Sequence, residues 1–109
     1  QAKMNDRGKR MMVDTIIKLV DSSPSKKFRS YTGQPMSWEI TQPELNIWVN
    51  YINSTLDILS GYAGLAIISS AKMQVVSIAS QGNVSGMQRV LDIERLLLDL
   101  AQNILRYYQ

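Results

Sequence analysis

From Leu45 to Gln88 the chain carries only two charged side chains, Asp57 and Lys72. A stretch that long with so little charge has to be buried, either inside its own domain or against a partner. Its uncharged centre, Ile58 to Ala71, runs fourteen residues, short of the roughly twenty that span a bilayer. Ser60, Gly61 and Gly64 interrupt it further, so a buried helix is expected and no membrane association. With 109 residues, 45% apolar and 19% charged, the chain has material for one globular domain, residues 1–109, and no room for a second core. Residues 1–10 are expected to fray. Because the chain starts at Gln1 and not Met, it reads as a fragment of something longer.

The apolar period then divides the chain. Asp6 to about Ser22 reads as a first helix with Met12, Ile16, Leu19 and Val20 on one stripe, stopped by Ser22-Ser23-Pro24-Ser25 because proline lacks an N–H and clashes with the preceding turn. Lys26 to Ile40 lacks that period. The alternation of Met36, Trp38 and Ile40 predicts a small β-hairpin around Gly33-Gln34, confined to an edge by Pro35 and leaning on the helices through Phe28, Tyr31, Met36 and Trp38. Thr41 with Glu44 three residues on, and Pro43 between them, forms a capping box. It opens a helix whose core stripe is Leu45, Trp48, Val49, Ile52, Leu56 and Leu59, with Gly61 as the expected stop.

Tyr62 or Ala63 to about Ala79 is apolar almost all round. Its β-branched residues make strand a competing reading, but a seventeen-residue run without a turn signal favours a helix. After the turn cluster Ser80-Gln81-Gly82-Asn83, Ser85 caps a last helix. Its inward residues are expected to be Val90, Leu91, Leu97, Leu98, Ala101, Ile104, Leu105 and Tyr108, with Ile93, Leu96 and Leu100 widening the stripe. The predicted fold class is therefore all-α or α-dominated, a bundle of about four principal helices with a small β-hairpin between the first and second.

Cys and His are both absent, which removes disulfides, zinc fingers, thiolate or imidazole metal sites, cysteine nucleophiles and histidine triads. No predicted helix face carries paired acids, so the chain reads as a non-enzyme without a cofactor or metal. The sequons Asn53-Ser54-Thr55 and Asn83-Val84-Ser85 are of a kind that arises by chance. Gly61-Tyr62-Ala63-Gly64 has the outline of a GxxG loop without the nearby cations or flanking strands such a clamp needs.

Charge is uneven. Residues 1–30 hold eight basic and three acidic side chains, and the remainder four basic and six acidic, so any electrostatic docking face belongs to the N-terminal third. Lys3, Arg7, Lys9 and Arg10 sit in the terminus. The densest cluster, Ser25-Lys26-Lys27-Phe28-Arg29, is expected to form a basic ridge on a loop, with Phe28 turned inward as the anchor.

The run from Val13 to Arg29, a helix leading into Ser25-Lys26-Lys27-Phe28-Arg29, resembles the opening of the C-terminal domain of rhabdovirus phosphoproteins, where a helix leads into a Ser-Lys-Lys-Tyr-Lys run. Asp92-Ile93-Glu94-Arg95-Leu96-Leu97 through Asn103-Ile104-Leu105-Arg106-Tyr107 is similar to the last helix of that domain, and Gly64 to Gln74 is loosely like its central helix. Where rabies-type members carry a tryptophan beside that glycine, this chain has Leu65. The resemblance implies a compact α-rich module that binds the viral nucleoprotein–RNA complex and tethers the polymerase, reached through the rest of the chain, to its template. It also implies a monomeric isolated domain, found in the host cytoplasm or nucleus and in the virion. Carried over by position, the partner-binding residues are Lys26, Lys27 and Arg29, with Lys18 and Lys72 as further cations. Two other readings stay open. One is a self-assembling helical structural or capsid-type protein, suggested by the wide apolar stripe of the last helix; the other is direct RNA binding by the basic N-terminal third.

Overall fold

The computed structural model describes residues 6–28, 37–63 and 66–107, and among them lie four α-helices and one short 3-10 helix. Helix α1 (Asp6–Asp21) buries the expected Met12, Ile16, Leu19 and Val20. It closes on Ser22, whose backbone N–H and hydroxyl both donate to the Lys18 carbonyl, at 3.1 and 2.8 Å.

The 3-10 helix (Pro24–Phe28) takes up Lys26–Phe28, the first three residues of the segment predicted as a hairpin. Pro24 sits at its first position, where the missing N–H costs nothing and the fixed φ suits a helical turn. Ser23 then acts as its cap: the Ser25 N–H donates to Ser23 Oγ at 3.1 Å and the Lys26 N–H to the Ser23 carbonyl at 3.1 Å. Residues 37–40 have no regular structure, and no strand occurs among the described residues. The hairpin's turn at Gly33-Gln34, together with Tyr31, Pro35 and Met36, lies outside them. Phe28 and Trp38 do lean on the helices, their rings stacked with centroids 4.9 Å apart and planes at 5°.

Helix α2 (Gln42–Ala63) starts at the predicted capping box. Glu44 N–H donates to Thr41 Oγ1 at 3.3 Å, and Thr41 N–H donates back to Glu44 Oε1 at 3.2 Å. The expected core stripe is buried in full. Gly61 does not stop the helix, which runs on to Ala63. A glycine weakens a helix by about 1 kcal/mol without forbidding helical dihedrals, and packing of the preceding turns outweighs that cost.

Helix α3 (Ala66–Ala79) resolves the helix-or-strand ambiguity, with Ile68, Ala71, Val75 and Ala79 buried. Tyr62 and Ala63, placed with it by the sequence reading, belong to α2.

Helix α4 (Gly86–Tyr107) is capped by Ser85, whose Oγ accepts from the Gln88 N–H at 3.1 Å. Its core stripe is Val90, Ile93, Leu97, Leu100, Ala101 and Ile104. That stripe is rotated from the expected one: Leu98 and Leu105 remain exposed and Leu91 half-buried, while Tyr108 is not among the described residues. The breadth of the α4 stripe is used inside the domain, because α1 packs along one side of it and α3 along the other, with α2 packed on α3. One continuous core draws on all four helices.

Two local devices fix the α4 N-terminus. Gly86 lies against residue 40 so tightly that an added Cβ would meet Ile40 Cγ2 at 2.5 Å and the Ile40 carbonyl at 3.1 Å. Arg89 donates to the carbonyl of Ala79 at 2.6 Å, to that of Val84 at 3.0 Å and to Gln42 Oε1 at 3.0 Å, tying the end of α3, the following turn and the start of α2 together.

Candidate functional site

The 3-10 turn that carries Lys26 and Lys27 is held rigidly from below. Ser25 is fully buried, its hydroxyl donates to the carboxylate of Glu94 on α4, and Ser23 Oγ hydrogen-bonds to Ser25 Oγ at 3.1 Å. Glu94 is itself buried. A buried carboxylate needs a partner, and here the partner is the turn, so α4 fixes where the two lysines stand. Glu94 was missed as a site residue by sequence reasoning. The available signal was an acid between Ile93 and Leu97, on the inner stripe of the last helix.

Phe28 anchors the far end of the turn, half-buried against the core and stacked on Trp38, as the sequence predicts. Lys27 Nζ stands 5.4 Å from the Phe28 ring centroid and 3.8 Å from Glu44 Oε2. Both partners of that ion pair are well exposed, so it is a loose surface contact that a partner's carboxylate can replace. The Glu44 carboxyl is held below its ordinary value of 4.5, first by hydrogen bonds from the Thr41 side chain and backbone and to a smaller extent by Lys27. Lys26 is exposed and makes no ion pair among the described residues.

Lys26 and Lys27 both border one open groove of about 510 Å³ between the 3-10 turn and the first half of α2, with Glu44, Ile47, Trp48 and Tyr51 along its α2 side. Trp48 donates its indole N–H inward to the Leu19 carbonyl at 3.1 Å. Its polar edge is thereby satisfied, and the groove is left a largely apolar lining.

The other predicted cations do not join this site. Lys72, on α3, is ion-paired with Asp57 of α2, thirteen residues beyond Glu44, or about 20 Å along the helix. Lys18 borders a separate polar depression on α1 with Arg7, Arg10, Asp6 and Asp14. There the cations alternate with acids, so no purely basic surface forms. Arg29 and Leu65 lie outside the described residues. Of the two sequons, Asn53 is within α2 with its Oδ1 buried, and Asn83 is exposed in the α3–α4 turn. Gly61, Tyr62 and Ala63 are helical, which removes the GxxG loop.

Among the described residues no helix is long and apolar enough to cross a membrane, and no cluster of three or more acidic side chains could hold a metal ion. The described residues define the class as all-α, with four α-helices and a groove at one end of α2 rimmed by Lys26, Lys27 and Glu44. No family model, curated protein or solved structure matches the chain.

Proposed function

We propose that this domain is a non-enzymatic docking module that grips an acidic surface of a partner protein, and that the partner is a viral nucleoprotein in complex with RNA. The observation that carries the docking reading is the placement of Lys26 and Lys27 on the rim of an apolar groove, on a turn pinned to α4 through Ser25 and Glu94. Fixed cations steer an acidic partner into register and speed encounter, while the apolar lining contributes affinity once water is displaced. The nucleoprotein assignment rests on the resemblance to rhabdovirus phosphoprotein C-terminal domains. In that setting moderate affinity suits a polymerase cofactor, because the tether has to release and re-engage along the template.

The test is the double substitution Lys26→Glu and Lys27→Glu. Both side chains are exposed, so helicity and thermal unfolding should remain those of the wild type while capture of the cognate nucleoprotein–RNA complex is lost. Capture at wild-type strength by the double variant refutes the reading.

A further inference from the structure

The near-uncharged middle of the chain is not wholly buried. On α2, Ile47 is 71% exposed, Tyr51 49% and Ile58 64%. Together with exposed Ser54 they are spaced four, three and four residues apart, the spacing of the contact seam in paired helices. Gly61 continues that spacing at the next position, also exposed, and a Cβ there would meet nothing within 4 Å. Large apolar and small residues interspersed at that spacing along one helix face form a track that a second helix can approach closely. The track lies on the face turned away from the core stripe and begins beside Lys26 and Lys27, because Ile47 and Tyr51 also border the groove.

We infer that the outer face of α2 receives an amphipathic helix of a partner protein, apolar along the α2 seam and carrying carboxylates where it passes Lys26 and Lys27. This rests on the docking reading and specifies the shape and chemistry of what is docked. Charge complementarity selects the occupant: Lys26 has no ion pair among the described residues and Lys27 only a loose one. A second copy of this chain does not fit. The acid at the other end of a second copy's track, Asp57, is already engaged by Lys72.

The test uses a synthetic helix of about 18 residues, long enough to span the track at 1.5 Å per residue. It carries leucines at the matching spacing and glutamates on one flank, and is titrated into the isotope-labelled 109-residue chain. Amide shifts should concentrate on Ile47 to Gly61 and on Lys26 and Lys27. Affinity should fall about tenfold when lysines replace the glutamates, and about tenfold again for Ile47→Ser plus Ile58→Ser; both isoleucines are exposed enough to change without disturbing the core. Absence of saturable binding, shifts mapping to α1 and α4, or self-association of the chain that the two serine substitutions abolish would each overturn the inference. Should the serine variant capture the nucleoprotein–RNA complex as the wild type does while the lysine-to-glutamate variant does not, the helix track falls and the docking reading stands.

Discussion

Removing the Ser25 hydroxyl should cost far more than its size implies. In Ser25→Ala the buried Glu94 carboxylate loses the donor that links it to the 3-10 turn. Hydrogen bonds to charged groups contribute about 1.5–3 kcal/mol, and an orphaned buried acceptor keeps its full desolvation penalty. A loss of about 2 kcal/mol is therefore expected. With a urea m-value of about 1–2 kcal/mol per molar, this moves the unfolding midpoint down by roughly 1–2 M at unchanged slope. Glu94→Leu alone leaves Ser25 without its acceptor but buries no unpaired charge, so it should cost less. Ser25→Ala combined with Glu94→Leu should recover much of the loss, because an apolar pair of similar shape needs no partners. Equilibrium urea unfolding of the wild type, the two single variants and the double variant closes the cycle. Strict additivity of the two single effects, or a loss under about 0.5 kcal/mol for Ser25→Ala, would refute the claim that this contact fastens the lysine-bearing turn.

Two further outcomes follow from local geometry. Thr41→Ala removes the hydroxyl that accepts from the Glu44 N–H and should cost about 1 kcal/mol in the same unfolding assay. It should also let the Glu44 carboxyl titrate closer to 4.5 in a carbon-detected NMR titration, because the Thr41 hydroxyl is the largest cause of its depression. Since that carboxyl is depressed in the folded state, its stabilising contribution is complete above the ordinary value and is lost as pH falls through the lowered one; a midpoint unmoved by the substitution refutes the assignment. Gly86→Ala should destabilise by about 1–3 kcal/mol by forcing residue 40 off the start of α4, and a variant melting at or above the wild-type temperature refutes the close approach.

What could be read from the residues alone was whatever local chemistry decides. The starts of α2 and α4 are set by Thr41 with Glu44 and by Ser85 with Gln88, each satisfying backbone groups within one turn, so their boundaries were legible. The core stripes of α1 and α2 were legible for the same reason. The placement of the 3-10 turn was not, because Ser25 is held by Glu94, sixty-nine residues away, and no local pattern records such a contact. Among the candidate cations, Lys26 and Lys27 were legible as a dense run. The isolation of Lys72 and Lys18 was not, since charge in a sequence does not say which acid will lie opposite. Low charge also overstated burial: Ile47 and Ile58 carry the same apolar signal as Ile52, and only the packing of α3 and α4 against α2 decides which of them faces water.

The most extensive interface between helices joins α1 to α4, the first helix to the last. During synthesis the apolar stripe of Met12, Ile16 and Leu19 therefore lacks the larger part of its native covering until α4 has been made, although Trp48 of α2 already reaches Leu19. Contacts between elements so far apart in the chain form late because a long loop must close before they are rewarded. Packing of α1 is completed only once α4 has emerged, so a stop or frameshift inside α4 would leave most of the α1 stripe uncovered.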